Sequence, residues 1–229
     1  MKLKTLAIMS VAFLMIGCAS PYAPMSKKVQ EKIQVLDASL IIKQSNIDVT
    51  VSSSDTGQGG IIGSLILAGV DAVRRSNAKD NATPIIAALE NYDFRSVMYK
   101  ATNNSLGKLN KFKGNRPITL DKVGSETVKK ITLNTSKANA LLFCSIYYQL
   151  QSGNLMVTLD AQMYPKSNTL KAFRKDADDA DILANGNRIY VNQFVFVKQG
   201  ITADNVVSGL NEAAKSLASQ VVQDLNHGI

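Results

Sequence analysis

Few residues in this chain are suited to chemistry. His227 is the single histidine, and Cys18 and Cys144 are the two cysteines. A Ser–His–Asp arrangement needs a histidine fixed by its surroundings, and His227 stands beside the C-terminus, where chains fray. One histidine and two cysteines also fall short of the ligand set of a conventional zinc centre. Asp176, Asp178, Asp179 and Asp181 could offer carboxylate oxygens to Ca²⁺. However, Ala180 and Asp181 stand where a calcium loop requires a ligand and a glycine, and Lys171, Arg174 and Lys175 balance the charge. That run reads as a solvated loop. The Gly57–Gly63 segment lacks the Lys-Ser/Thr of a phosphate-binding loop. No catalytic, metal or cofactor set assembles, and the chain reads as non-enzymatic.

The remaining chemistry is charge. The chain carries 26 Lys+Arg against 18 Asp+Glu, a formal net charge of +8. The densest run is Lys108, Lys111, Lys113 and Arg116, with Lys129 and Lys130 further on. One reading is a solvated helix end and loop. The other is a site for an anionic partner, either lipid headgroups or lipopolysaccharide phosphates.

The N-terminus places these residues in a compartment. Lys2 and Lys4 form a basic start, Leu6–Ile16 is apolar except for Ser10, and Gly17 and Cys18 follow. That order describes a secretory signal and not a membrane-spanning anchor. Met15-Ile16-Gly17-Cys18 resembles the bacterial lipobox, although Met15 stands where the family usually has Leu. The resemblance implies cleavage before Cys18 and a diacylglycerol on its sulfur, with several acyl chains holding the protein firmly in the bilayer. Residues 1–17 are then the signal peptide. Ala19, in place of an Asp, implies sorting to the outer membrane of a Gram-negative cell. Export argues against a nucleic-acid partner despite the basic charge. Lipidation uses Cys18 and leaves Cys144 unpaired. Cys144 lies within Leu141–Ile146, an apolar run that reads as a core strand, so its thiol is structural.

The elements must then build one domain. A chain of 229 residues with 45% apolar content can bury a core without disulfides. Ala19–Gln30 contains Pro21 and Pro24 and no apolar period, and reads as part of a lipidated tether over 18–30. The domain is expected over 31–229. Ile33–Val51 alternates, as one long bent strand or a hairpin. Thr83-Pro84 opens a helix bearing Ile85, Ile86 and Leu89, and Asp93 caps a second bearing Phe94, Val97, Met98 and Ala101. Pro117–Leu120 is a short strand, and Ser125–Leu133 a helix. Leu141–Tyr148 is apolar on both faces, as a central strand is. A turn at Ser152-Gly153-Asn154 returns it through Leu155–Met163, which is apolar on one face. Ile189–Val197 is a third strand. Thr202–Asn226 is a long helix capped by Thr202 and stopped by Gly228. The expected fold is α+β: a mainly antiparallel, mixed sheet packed by helices, with a long C-terminal helix.

One internal segment stands apart. Gly60, Ser64, Ala68 and Ala72 recur every fourth residue of a Gly59–Val73 run. On a helix they form a smooth stripe for close packing. The run is short for a bilayer span and Asp71 interrupts it. Burial against the domain is favoured, with self-association or membrane insertion as the alternatives.

Residues 84–163 resemble the α+β subdomain of Gram-negative envelope proteins, including the TolB amino-terminal domain and the curli-secretion lipoprotein family. The matching stretch is Ala138-Asn139-Ala140-Leu141-Leu142, with Asn139 where the family has Asp. The resemblance implies a fold more than a function. The expected role is an outer-membrane-anchored periplasmic lipoprotein that acts as a scaffold or accessory subunit of an envelope or secretion assembly. Its partner would be an envelope protein or a second copy of itself. The alternative is a binding module for an anionic envelope component.

Overall fold

The computed structural model describes residues 22–44, 46–50, 82–114, 118–119, 125–174 and 181–228. The chain enters through helix α1, Lys27–Lys32, and runs into strand β1, Val35–Ile41. Strand β2, Asp48–Thr50, follows. Helices α2, residues 82–88, and α3, Phe94–Leu106, come next. The short strands β3, Lys113–Gly114, and β4, Ile118–Thr119, precede α4, Ser125–Thr135. The hairpin β5, Ala140–Gln151, and β6, Asn154–Pro165, then leads through α5, Asn168–Lys171, to β7, Tyr190–Lys198, and α6, Val206–His227.

These strands form one seven-stranded mixed sheet along the order β3-β1-β5-β6-β7, with β4 also on β1 and β2 also on β5. The two halves differ in sense. β1, β2, β3 and β4 are parallel to their partners, whereas β5, β6 and β7 are antiparallel to one another. The expected α+β class and the central position of β5 are observed. The Ile33–Val51 alternation is a bent strand and not a hairpin, because β1 and β2 both run parallel to β5. Gln44 bridges the break between them. Its Nε2 donates to the Tyr148 carbonyl and its Oε1 accepts from the Tyr148 amide, both at 2.9 Å. A side chain thus replaces a missing rung of the ladder. Arg95 holds the same stretch from α3, donating to the carbonyls of Ile42 and Gln44.

The hairpin turn is a two-residue loop with φ of 50° at Ser152 and 76° at Gly153. Positive φ at both positions matches the twist of the flanking strands, so the register Gln151↔Asn154 is fixed from the turn outwards.

The main core lies on one face of the sheet. Leu142, Cys144, Ile146 and Tyr148 of β5 and Leu155, Val157, Leu159, Ala161 and Met163 of β6 meet α3 and α6 there. α6 contributes Leu210, Ala214, Leu217 and Val221 at helical spacing. A smaller cluster lies on the opposite face, where Val128 of α4 covers Ile41, Leu141, Phe143 and Tyr164. α4 is 11 residues long and packs on β1 and β5.

Three boundaries differ from expectation. First, the domain begins by Ala23 and not after Gln30. Met25 and Val29 are 2% and 4% exposed, and Ala23 exchanges backbone hydrogen bonds with Val191 of β7. The apolar residues of this stretch are too few for a period to show in sequence. Second, α6 starts at Val206, and Asn205 at its N-cap position makes no side-chain bond to the helix; its side chain instead accepts from the Thr202 amide and donates to the Gly200 carbonyl. Thr202 is therefore held in the preceding turn. Third, α2 already includes Ala82 and Thr83, so Thr83 is not its cap. Asp93 does cap α3, accepting from the Ser96 amide. Among the described residues, no helix is long and apolar enough to cross a membrane.

Candidate functional site

The basic run leaves α3 at Gly107 and turns back on itself. The Lys108 amide donates to the Ser105 carbonyl at 2.9 Å, and Leu109 to Leu106 at 3.1 Å. Asn226, at the end of α6, clips the turn from outside. Its Oδ1 accepts from the Asn110 amide and its Nδ2 donates to the Lys108 carbonyl. Phe112 is buried and plugs the segment into the core, while Lys111 and Lys113 on either side of it are exposed. The Lys113 amide then donates to the Gln34 carbonyl at 3.0 Å, which starts β3 on β1. Gly114 leaves little room here, because a Cβ would stand 2.8 Å from Leu109 Cδ1, which would have to shift aside.

The result is an open cleft of about 470 Å³ lined by Gln34, Val35, Leu109, Asn110, Lys111, Phe112 and Lys113. Two ammonium groups and two side-chain amides can hold a carboxylate or phosphate. Among the described residues, no histidine, cysteine or carboxylate lines the cleft. Of the four cations singled out in the sequence, Lys111 and Lys113 share this cleft, and Lys108 lies exposed on the clipped turn. Arg116 lies outside the described residues, as do Cys18 and the stripe Gly60, Ser64, Ala68 and Ala72.

A second surface follows from the short reach of α4. On the face that α4 covers over β1 and β5, the described residues leave β6 and β7 exposed only towards the Ser152–Gly153 turn, while Tyr164 and Val191 at the other end are buried. Register aligns Tyr147, Thr158 and Val195 in one row, and Gln149, Met156 and Val197 in the next. Tyr147, Val195 and Val197 are 41%, 47% and 54% exposed. Beyond the Ala23–Val191 bridge, no described strand pairs with the outer edge of β7. The alternation of β7 in sequence shows that one of its faces is polar or exposed, but not that its exposed positions fall in line with Tyr147.

Cys144 is buried and free, and burial pushes its thiol up to about 12. His227 is exposed, with Nδ1 2.7 Å from the Gln223 carbonyl. Asp181 accepts from the Leu183 amide, and Asp176, Asp178 and Asp179 lie outside the described residues. Among the described residues, no group of three or more His, Cys, Asp or Glu could hold a metal. Sequence reasoning missed a half-buried polar network. Tyr190 Oη and Asn192 Nδ2 both donate to Asp224 Oδ2, at 2.7 and 2.9 Å. Burial pushes the Tyr190 phenol far above its usual range, and the adjacent Asp224 adds to this. The network locks the last turns of α6 to β7.

Neither a family model nor a curated protein matches the chain. Among solved structures it is similar to a PelC dodecamer variant from Paraburkholderia phytofirmans, at 11% identity and TM-score 0.37, over 91% of this chain and 94% of that one. It is similar to an uncharacterised protein at 9% identity and TM-score 0.37, over 89% and 95% of the two chains. It is also similar to a Xanthomonas campestris protein of the DUF330 family model, at 9% identity and TM-score 0.35, over 89% and 86%. Likeness this faint carries no reading of function.

Proposed function

We propose that the protein is a lipoprotein held on the periplasmic face of the outer membrane through acyl chains on Cys18. Its folded domain acts as a non-enzymatic scaffold or accessory subunit of an envelope assembly. The observation that supports a partner-binding role is the part of the β6–β7 face exposed towards the Ser152–Gly153 turn. Single exposed apolar residues are ordinary on protein surfaces, but Tyr147, Val195 and Val197 sit in register on the sheet beside an edge of β7 that, beyond the Ala23–Val191 bridge, no described strand pairs with. Aligned apolar residues with free backbone groups suit a protein partner. The anchor rests on the Met15–Cys18 resemblance to a lipobox.

The test is purification of the tagged full chain from detergent-solubilised native membranes. A partner should co-purify through a high-salt wash. The Val195→Lys/Val197→Lys variant should lose it while keeping its melting temperature within a few degrees. Retention of the partner by that variant removes this face from the reading. In parallel, Cys18→Ser should move the protein from the detergent phase to the aqueous phase, and a Cys18→Ser chain that still takes up palmitate overturns the anchor.

The cleft formed by Lys111 and Lys113 supports a second reading, a module that binds an anionic envelope component. Steep salt dependence of capture would select it, because exposed charges are screened.

A further inference from the structure

The strands sort the charges of this domain along their own axis. Leu36 pairs with Ala140, Ala140 with Pro165, and Met163 with Tyr190. The starts of β1, β5 and β7 and the end of β6 therefore lie together at one end of the sheet. α6 brings its C-terminus to the same end, where Gln30 Nε2 donates to the Leu225 carbonyl. α3 finishes there as well, beside Asn226. This end carries the exposed residues Lys28 and Lys32 on α1, Lys111 and Lys113 at β3, Lys108 after α3, and Lys137 ahead of β5. Among the described residues, Glu31 and Asp181 are the exposed acids there. Among the described residues, the opposite end holds the Ser152–Gly153 turn and the starts of α3 and α6, with exposed Asp48, Glu90, Asp93 and Asp204 against Lys43.

The chain's attachment point lies at the basic end. Ala23 is hydrogen-bonded to Val191 near the start of β7, and Cys18 lies five residues earlier. Five residues span at most ~18 Å. A lipid on Cys18 therefore holds this end within about two Debye lengths of the bilayer, one being ~8 Å at physiological salt. Anionic headgroups attract clustered lysines over that range, and the tether removes the need for a diffusive search.

We infer that the basic end, through Lys32 of α1 together with Lys108, Lys111 and Lys113, docks on anionic phospholipid of the membrane that bears the anchor. The domain then stands with its strands along the membrane normal, and the turn end points away into solution. This inference rests on the lipoprotein reading above. It adds an orientation, and gives Lys32 of α1, which lies outside the cleft, the same partner as the lysines at β3.

The full acylated chain is reconstituted into phosphatidylcholine vesicles with or without phosphatidylglycerol, both containing a headgroup quencher. A fluorophore is placed at Lys28→Cys or, at the far end, at Ser208→Cys; buried Cys144 stays unlabelled. Flotation with the vesicles reads the anchor, and the ratio of quenching at the two positions reads the docking. Quenching at position 28 should exceed that at position 208 several-fold in anionic vesicles. The excess should shrink with added salt and in Lys32→Glu/Lys111→Glu chains, while flotation is unchanged. Chains that float but quench equally at both positions overturn the docking and leave the anchor standing. Chains that do not float overturn both. Crosslinks from position 28 to an acidic protein in native membranes, with no vesicle effect, would also overturn the docking and give this end to a protein partner.

Discussion

At the scale of single residues, the chain uses its unusual side chains for structure. Asn139 shows why a departure from a family pattern can be informative. Its Oδ1 accepts from the amides of Gln34 and Val35, and its Nδ2 donates to the Lys32 carbonyl. An Asp would supply the acceptor and lose the donor, so the amide suits a site that must also hold the end of α1. The substitution was visible in sequence; its reason was not, because α1 is separated from Asn139 by about half the chain. Cys144 gives a test of burial. Its thiol is pushed up to about 12 by desolvation, whereas an unfolded thiol ionises near ~8.5. A raised folded value means that the stabilisation is complete below the unfolded value and is lost as pH climbs towards the folded one. Cys144 should therefore remove ~1.4 kcal/mol of stability per pH unit above about pH 9. Cys144→Ala should flatten that slope in urea titrations between about pH 9 and 11, whatever its constant packing cost. Equal slopes for the two proteins would show that water reaches the thiol. Tyr92, Tyr147, Tyr148 and Tyr164 titrate in both proteins and cancel in the comparison, whereas the Tyr190 phenol, which Cys144 helps to raise, is part of the coupled effect.

At the scale of elements, strong periodicity was legible and close approach was not. β5, β6 and α6 were readable because each presents a long apolar face, and tertiary packing then uses the face that the sequence offers. β3 escaped notice because two residues have no period, and it exists through the Gln34–Lys113 hydrogen bond supplied by β1. The cleft was half legible: the lysines could be counted, but the burial of Phe112 between Lys111 and Lys113 could not be read. Gly209 was also missed. A Cβ there would lie 3.2 Å from Leu155 Cδ2 and 3.3 Å from Ile201 Cδ1 and Lys198 Cδ, so α6 seats its first turns against β6 through this glycine. Gly209→Leu should cost ~1–3 kcal/mol by overpacking. Gly209→Ala should be close to neutral, because ~1 kcal/mol of helix propensity offsets a contact that the Lys198 stem can relieve. Chemical denaturation of both variants checks the pair. A Leu variant as stable as the parent would mean that the helix sits further from the sheet.

At the scale of the whole molecule, the start of the domain carries the argument. A sequence reading that begins the domain at residue 31 cuts through its packing. Met25 and Val29 are core residues, Ser26 caps α1, and Gln30 donates to the Leu225 carbonyl at 2.6 Å. Gly228, at φ 39°, lies against the same Gln30, where an added Cβ would come within 3.0 Å of Oε1. α1 thus closes the end of the molecule where α6 finishes, and both chain ends of the described domain depend on it. A protein starting at Tyr22 should keep every one of these contacts and unfold at the same denaturant midpoint as the Cys18→Ser full chain. A protein starting at Glu31 loses two buried apolar side chains, which together cost more than ~3 kcal/mol, and leaves the Leu225 carbonyl without its donor. Its midpoint should fall sharply, and its Trp-free core should be followed by circular dichroism. If the protein starting at Glu31 is as stable as the one starting at Tyr22, α1 only rests on the domain. The short leash from Cys18 to the basic end would then lengthen by the eight residues from Ala23 to Gln30, and the end-on docking would lose its geometric basis.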